Sequence, residues 1–299
     1  MPSKVHGAAA ALSAVLLGAC SAGTATALAP TVTHFSNAPS STRPASPAPS
    51  IASDTPPPLP SALPSPTAIE FEQWGPGRVE IPILLYHHLS VTGGGSRYTL
   101  NSDVFRQQME FLVAAGFQTV SVSDVARAIR VGAELPANPI ALTFDDGNAD
   151  TINLAFPILD SMDLRGVAYV VANRTGAEGF MGEKDLQTLS AAGWEIGSHS
   201  MSHVDLTQGG PTLWRQEILV SRLDLEAVLG VPVLTFAYPF GTSTPEIIAK
   251  VAEYGYDSGA GLGPSTVNDR GTLYYLQRRE IWGTWSEEQF EAILTGDGG

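Results

Sequence analysis

Cysteine and basic residues are both scarce in this chain, and each scarcity excludes a class of protein. Cys20 is the only cysteine among 299 residues, so no disulfide can form within the chain. Lysine and arginine number 16 against 30 aspartates and glutamates, which gives a formal net charge of −14. Because a surface of that sign repels phosphate backbones, we expect no nucleic acid partner.

Long hydrophobic runs are also lacking, and the N-terminal 20 residues have the pattern of an export signal. Lys4 precedes an apolar stretch over residues 8–17 that is too short to span a membrane as a helix. The sequence LGAC at residues 17–20 resembles the bacterial lipobox, in which cleavage precedes the cysteine and the cysteine carries a lipid. We therefore predict a lipoprotein signal peptide over residues 1–20, with lipid attachment at Cys20. A plain secretory signal with an incidental cysteine is the alternative.

Residues 21–73 are nearly free of charge and cannot build a hydrophobic core. Half of the chain's 22 prolines lie between residues 21 and 70, where only Arg43, Asp54 and Glu70 are charged. This composition, rich in proline, serine and alanine, predicts a disordered tether that is partly polyproline II. The protein is then extracytoplasmic, either lipid-anchored to the cell membrane or secreted, and it touches the membrane only through the N-terminal lipid.

Residues 74–299 are long enough for one α/β domain, in which apolar strand patterns alternate with helical patterns. We expect strands over residues 79–86, 139–144 and 274–281, and a helix over residues 149–159. The alternation predicts parallel strands with helical crossovers, and a closed or nearly closed β/α barrel fits the number of strands. Functional groups then collect beyond the carboxyl ends of the strands. The predicted strand ends carry His87-His88, Asp145-Asp146, His199 and Tyr238-Pro239-Phe240.

Two short motifs at these ends suggest a metal centre. The sequence HSMSH places His199 and His203 four residues apart, where both imidazoles can face one metal ion; two surface histidines in a serine-rich loop are the alternative. The sequence LTFDDG sets Asp145 beside Asp146, and a nearby cation makes two adjacent carboxylates tolerable. A strand followed by an ordinary Asp-Gly turn is the alternative. Spacing alone does not decide which aspartate would bind the metal.

The motifs TFDDG, HSMSH and YPFG, in that order, resemble the polysaccharide deacetylases of the NodB-homology type, carbohydrate esterase family 4. The sequences IPILLYHHLS and FRQQMEFLVAAGFQTVS resemble the branch that deacetylates poly-N-acetylglucosamine, and the likeness runs from about residue 81 to residue 281. The resemblance implies a distorted (β/α) barrel that hydrolyses N-acetyl groups of an N-acetylglucosamine polymer at the cell surface. An O-acetyl esterase or other acyl hydrolase, or a glycan-binding lipoprotein without activity, remains an alternative. We expect a monomer.

The resemblance also implies roles for individual residues. Asp145 would be the general base, while Asp146, His199 and His203 would bind a divalent metal ion. Zinc is the expected ion, although cobalt, nickel and iron also suit two histidines and a carboxylate. The backbone N–H of Phe240 would stabilise the oxyanion. Tyr238 and Pro239 of the same turn are candidate substrate-binding residues.

The family pattern usually supplies a histidine acid late in the chain, but no histidine follows His203. In the poly-N-acetylglucosamine branch the corresponding motif lies on the N-terminal strand as a Tyr-His pair, which Tyr86 and His87 match. His87 is therefore the predicted general acid, with His88 as the second choice. Because side chains alternate along a strand, only one of the two should face the site; two ordinary polar residues at a strand end are the alternative.

The family pattern also has an arginine near the third motif, where this chain has Ala237. Arg278 or Arg279 could replace it by pairing with Asp145 and orienting the base. An ordinary salt bridge at a strand end is the alternative.

Overall fold

The structure is a computed structural model that describes residues 69–294. The predicted signal peptide, the lipid attachment at Cys20 and the tether up to residue 68 lie outside the described residues. The strand Phe71–Trp74 pairs antiparallel with Ala133–Pro136. The described domain thus includes a strand that crosses the expected boundary between residues 73 and 74.

An eight-stranded sheet forms the centre of the fold, and every pair of neighbouring strands in it is parallel. We number its strands in chain order. They are β1 (Ile83–Tyr86), β2 (Gln118–Thr119), β3 (Pro139–Phe144), β4 (Val167–Val170), β5 (Glu195–Ser198), β6 (Thr235–Ala237), β7 (Ser258–Ala260) and β8 (Arg279–Glu280). The spatial order is β7-β6-β5-β4-β3-β1-β8, and β2 pairs with the start of β3. This parallel half-barrel confirms the predicted α/β class.

The two edges of the sheet approach each other, which makes the half-barrel nearly closed. The Leu276 N–H donates to the Gly259 carbonyl at 2.7 Å, and the Gly261 N–H donates to the Leu276 carbonyl at 2.9 Å. These bonds join the end of β7 to the segment that leads into β8. The predicted strand over residues 274–281 is wrong in length, because only Arg279–Glu280 is a strand. The carbonyl of Tyr274 instead accepts the hydroxyl of Tyr238 at 2.7 Å.

The predicted strand over residues 79–86 is in fact two strands. Arg78–Glu80 pairs antiparallel with Val267–Asp269, outside the main sheet, whereas β1 joins β3 and β8. Pro82 lies between the two strands and has no N–H to donate to a ladder, which accounts for the break. A third small pair joins His88–Ser90 to Thr99–Asn101.

Helices connect the strands. The α-helices are Ser102–Ala114, Val122–Val131, Phe156–Asp160, Glu183–Ala191, Pro211–Trp214, Ser221–Leu229, Pro245–Glu253 and Glu287–Leu294. Short 3₁₀ turns lie at Ala172–Arg174, Leu206–Gln208 and Pro239–Gly241, and π-helical turns lie at Thr151–Ala155 and Arg215–Val220. The helix expected over residues 149–159 therefore begins as a π-turn, and Pro157, which cannot donate a backbone bond, lies in the α-helical part that follows. Within residues 69–294, no helix has the length and apolar character needed to cross a membrane.

Alternate residues of the central strands pack into two apolar clusters, since Ala141 belongs to one and Leu142 to the other. All six residues of β3 are buried, as expected for a parallel strand covered on both faces. The register places Tyr86 beside Phe144 and Ser198 beside Val170. The central strands therefore end level with one another, and the residues that follow them share one edge.

Candidate active site

The residues that follow the level strand ends line one cleft of about 330 Å³. The predicted residues among them are His87, His88, Asp145, Asp146, His199, His203, Tyr238, Phe240 and Arg278. The structure therefore brings together every predicted site residue of the domain except Pro239, which is buried and does not line the cleft.

The backbone at the cleft adopts conformations that side chains other than glycine rarely take. Asp146 has a φ of 73°, Ser200 of 68°, His203 of 59° and Phe240 of 60°, all in the left-handed region. Aspartate and histidine tolerate this region better than most residues, but each instance still persists only where surrounding contacts enforce it. These turns direct side chains of three different loops into one small volume.

Asp145 and Arg278 form a buried bidentate ion pair. Arg278 Nη1 lies 2.7 Å from Asp145 Oδ1, and Nη2 lies 2.8 Å from Oδ2. Burial is the largest single influence and would raise the pKa of Asp145, but the charge and hydrogen bonds of Arg278, together with His199 and His87, outweigh it and lower the pKa to about 2. Asp145 is thus ionised at neutral pH, as a general base must be.

Two further donors of Arg278 are also bonded, which helps to fix the guanidinium in place. Nε donates to the Gly261 carbonyl at 3.1 Å, and Nη1 lies 3.2 Å from Thr143 Oγ1. Arg279 points elsewhere, because its Nη1 donates to the Ile293 carbonyl at 2.6 Å. Of the two arginines considered from the sequence, Arg278 is the one that contacts Asp145.

Within residues 69–294, one group of side chains could hold a metal ion. It consists of Asp146, His199 and His203, whose ligand atoms all lie within 4.8 Å of one another. His199 Nδ1 lies 2.9 Å from the Ala237 carbonyl, so a proton on Nδ1 leaves Nε2 free as a ligand. Asp146 Oδ1 is buried without a hydrogen-bond partner among the described residues, 3.4 Å from His203 Nε2. The same oxygen also lies 3.5 Å from Arg174 Nη1, in an ion pair longer than a hydrogen bond. A carboxylate oxygen without a hydrogen bond, beside two imidazoles, is a donor set that fits a divalent cation such as zinc.

The two adjacent histidines occupy different environments. His87 is partly buried in the cleft, and its Nδ1 lacks a hydrogen-bond partner among the described residues, with Glu280 Oε1 3.9 Å away. Burial lowers the pKa of His87, against the opposing charges of Asp145, Asp146 and Glu280. His88 is exposed at the rim, and its Nδ1 lies 3.0 Å from Asp150 Oδ2, a hydrogen bond that raises the pKa of His88. Of the two, His87 lies inside the cleft, where its ring centroid is 5.0 Å from that of Tyr98 and its Nδ1 makes no hydrogen bond among the described residues.

The residues of the YPFG turn differ in their exposure to solvent. The Phe240 side chain is 59% exposed at the rim, and its ring centroid lies 4.6 Å from that of His203. Tyr238 lines the cleft, but its side chain is buried and its hydroxyl is bonded to the Tyr274 carbonyl. This environment leaves Tyr238 little surface to offer a substrate.

The cleft also includes Arg97, Tyr98 and Glu280, which the sequence did not suggest. The guanidinium of Arg97 lies between two rings, 4.7 Å from the Tyr98 centroid and 4.9 Å from the Trp282 centroid. A backbone bond of 2.8 Å from the Gly283 N–H to the Arg97 carbonyl joins the two loops. The glycine-rich run at residues 93–95 predicts a loop, but the sequence does not indicate that this loop contacts residues 282–283.

Comparison with known proteins agrees with this geometry. Residues 132–259 match the family model described as polysaccharide deacetylase. The matched stretch contains Asp145, Asp146, His199 and His203, whereas His87 lies before it.

Two curated relatives cover most of the domain. The protein YxkH of Bacillus subtilis (strain 168), named for the polysaccharide deacetylases, is 22% identical over 215 residues, or 72% of this chain and 76% of that protein. The poly-β-1,6-N-acetyl-D-glucosamine N-deacetylase of Staphylococcus aureus (strain MRSA252) is 19% identical over 211 residues, or 66% of this chain and 71% of that one.

Among solved structures, the Streptococcus pyogenes deacetylase PplD in complex with acetate has a TM-score of 0.64 at 25% identity. The match covers 72% of this chain and 98% of PplD.

Proposed function

The chain contains a domain of the polysaccharide deacetylase family, and from that premise we propose that it hydrolyses N-acetyl groups of an N-acetylglucosamine polymer and releases acetate. The observation that carries the proposal is the position of the Asp145–Arg278 ion pair beside Asp146, His199 and His203 in one cleft. The choice of polymer is supported by the likeness to a relative that is named for poly-β-1,6-N-acetyl-D-glucosamine.

In this proposal, Asp146, His199 and His203 hold a divalent ion, which supplies Lewis-acid polarisation when it is bound. Asp145 stays ionised because of Arg278, and it accepts a proton from the water that adds to the acetamide carbon. The Phe240 N–H donates to the oxygen on which negative charge develops.

The last step is cleavage of the carbon–nitrogen bond, in which an amine must leave. An unprotonated amide nitrogen is a poor leaving group, so a general acid must deliver a proton to it. His87 is assigned this role because its ring lies inside the cleft and its Nδ1 makes no hydrogen bond among the described residues. Acetate and a free sugar amine are the products.

The test is acetate release by the full chain from N-acetylglucosamine oligomers, after removal of metal by a chelator and after reloading with zinc. We expect turnover that is lost with the metal and restored by zinc, cobalt or nickel. Release of acetate only from O-acetylated glycans would make the protein an esterase. Metal binding without release from either substrate would favour a glycan-binding role.

The cellular location is a separate proposal, which rests on residues 1–20. We propose that the protein is exported and lipidated at Cys20. Expression in a bacterial host should give a mature protein that partitions into a detergent phase, whereas Cys20→Ser should remain in the aqueous phase. Equal partitioning of the two proteins would contradict the lipid anchor.

A further inference from the structure

Glu217 is a buried carboxylate that the mechanism above does not use. Its side chain lies in the π-helical turn Arg215–Val220, and the residue is 3% exposed. Both of its oxygens contact one residue. Oε2 accepts the Ser202 N–H at 2.8 Å, and Oε1 accepts the Ser202 hydroxyl at 2.7 Å. Ser202 immediately precedes His203 in the loop that carries the candidate metal ligands.

This loop, residues 199–203, has a backbone that needs outside support. Ser200 and His203 both adopt left-handed conformations, which cost on the order of 1–3 kcal/mol each in residues other than glycine. The first half of the loop is held by backbone bonds, since the Ser200 and Met201 carbonyls accept N–H groups of the 3₁₀ turn Ala172–Arg174 at 3.1 and 3.0 Å.

The second half of the loop has two side-chain contacts that hold its backbone. The His203 N–H donates to Ser200 Oγ at 2.9 Å, which is a contact inside the loop itself. Glu217 provides the contact that ties Ser202 to another element of the fold. A carboxylate suits this task, because it offers two acceptor oxygens at once to an N–H and a hydroxyl.

We propose that Glu217 is a positioning residue for the metal centre. By holding Ser202 at both its N–H and its hydroxyl, Glu217 fixes the left-handed turn that presents His203 Nε2 beside Asp146. This inference rests on the metal site of the proposed function. Removing a residue that holds metal ligands in position through hydrogen bonds typically lowers metal affinity by about 10–100-fold.

The decisive experiment compares zinc affinity with the stability of the metal-free protein, using the full chain. Zinc binding to the apo protein is measured by calorimetry, and apo stability by thermal unfolding. We expect Glu217→Ala to weaken zinc binding by about 10-fold or more, because the Ser202 N–H and hydroxyl both lose their acceptor. Ser202→Ala removes only the hydroxyl contact and should have a smaller effect of the same sign.

Glu217→Gln serves as the conservative rescue. The amide oxygen can still accept the Ser202 N–H, and the amide nitrogen can donate to the Ser202 hydroxyl oxygen. We expect zinc affinity close to that of the wild type. If Glu217→Ala does not fold, the comparison of Ser202→Ala with Glu217→Gln still decides the question.

Glu195→Ala is the matched control. Glu195 accepts the Ser123 N–H at 2.9 Å and the Thr235 hydroxyl at 2.5 Å, the same pair of bond types, at the opposite end of β5 from His199. It should lower apo stability and leave zinc affinity unchanged. Unchanged zinc affinity in both Glu217→Ala and Ser202→Ala, or an equal loss in Glu195→Ala, would overturn the positioning role. Absence of zinc binding in the wild type would instead reject the metal site itself.

Discussion

The two ends of strand β5 satisfy their polar groups in opposite ways. At its amino end, Glu195 has both carboxylate oxygens bonded, one to Ser123 and one to Thr235. Beyond its carboxyl end, His199 leads into a loop with left-handed residues, and Asp146 Oδ1 is buried nearby without a hydrogen-bond partner among the described residues. The carboxylate at the amino end is fully bonded, whereas the carboxyl end has strained backbone and a buried carboxylate oxygen without a hydrogen bond.

Backbone strain is also unevenly distributed over the whole sheet. Of the five non-glycine residues with positive φ in residues 69–294, four lie at the carboxyl edge, and Asp163 is the exception. Backbone strain of this kind persists only when the surroundings enforce it, and it concentrates at sites that must hold a particular geometry. Backbone strain outside glycine is therefore concentrated at the carboxyl edge, where the candidate site lies.

The largest effect is expected from Asp145→Asn at the carboxyl edge. Loss of the proposed base should lower the rate of acetate release by about 10²–10⁴-fold, measured on N-acetylglucosamine oligomers. Asp150→Asn is the control, because Asp150 contacts only the rim residue His88 among the histidines and should change the rate little. A comparable decrease in the rate of acetate release in the two variants would contradict the assignment of Asp145 as the general base.

Arg278→Met should destabilise the protein more than any surface change, because it leaves the buried charge of Asp145 without a partner. Breaking such a pair typically costs about 3–5 kcal/mol, which urea unfolding of the metal-free protein at neutral pH would measure. Arg279→Met removes a hydrogen bond to a backbone carbonyl and should cost less. An equal decrease in the free energy of unfolding in the two variants would mean that losing the ion pair is no more destabilising than losing an ordinary hydrogen bond.

His87→Ala should lower the rate of acetate release by about 10²-fold if its imidazole is the general acid. His88→Ala should have a much smaller effect, because that ring is exposed and bonded to Asp150. The two single variants, assayed on the same oligomers, separate the neighbouring histidines. A larger loss in His88→Ala would reverse the assignment.

The smallest effect concerns the amino end of β5. Burial raises the pKa of Glu195 above its usual value of 4.5, and the hydrogen bond from Thr235 only partly opposes this. The folded state therefore holds this proton more tightly than the unfolded state, so Glu195 contributes less stability as pH rises above about 4.5. Glu195→Gln removes this pH-dependent contribution, because the amide does not titrate. We expect the unfolding free energy of the variant, relative to the wild type, to increase between pH 4.5 and 7; a constant difference would contradict the shift.

Several features of the fold and the site follow from local patterns in the sequence. The apolar run of β3 and the motifs at residues 143–147 and 199–203 are contiguous, so their structure depends mainly on neighbouring residues. Errors arose where a strand depends on distant partners. The strand expected over residues 79–86 breaks at Pro82, before which Arg78–Glu80 pairs with the distant Val267–Asp269, and residues 274–278 bond to β7 and to Tyr238, which follows β6, rather than extend β8.

The sequence by itself determined the parallel α/β fold and the edge at which the polar residues meet, because strand and helix periodicities are local and parallel strands end on the same side. The tertiary structure alone decided that Arg278 rather than Arg279 contacts Asp145, and that His87 lies inside the cleft while His88 is bonded to Asp150 at its rim. The physical reason is distance along the chain. Arg278 and Asp145 are 133 residues apart, and they meet because β8 pairs with β1, which in turn pairs with β3.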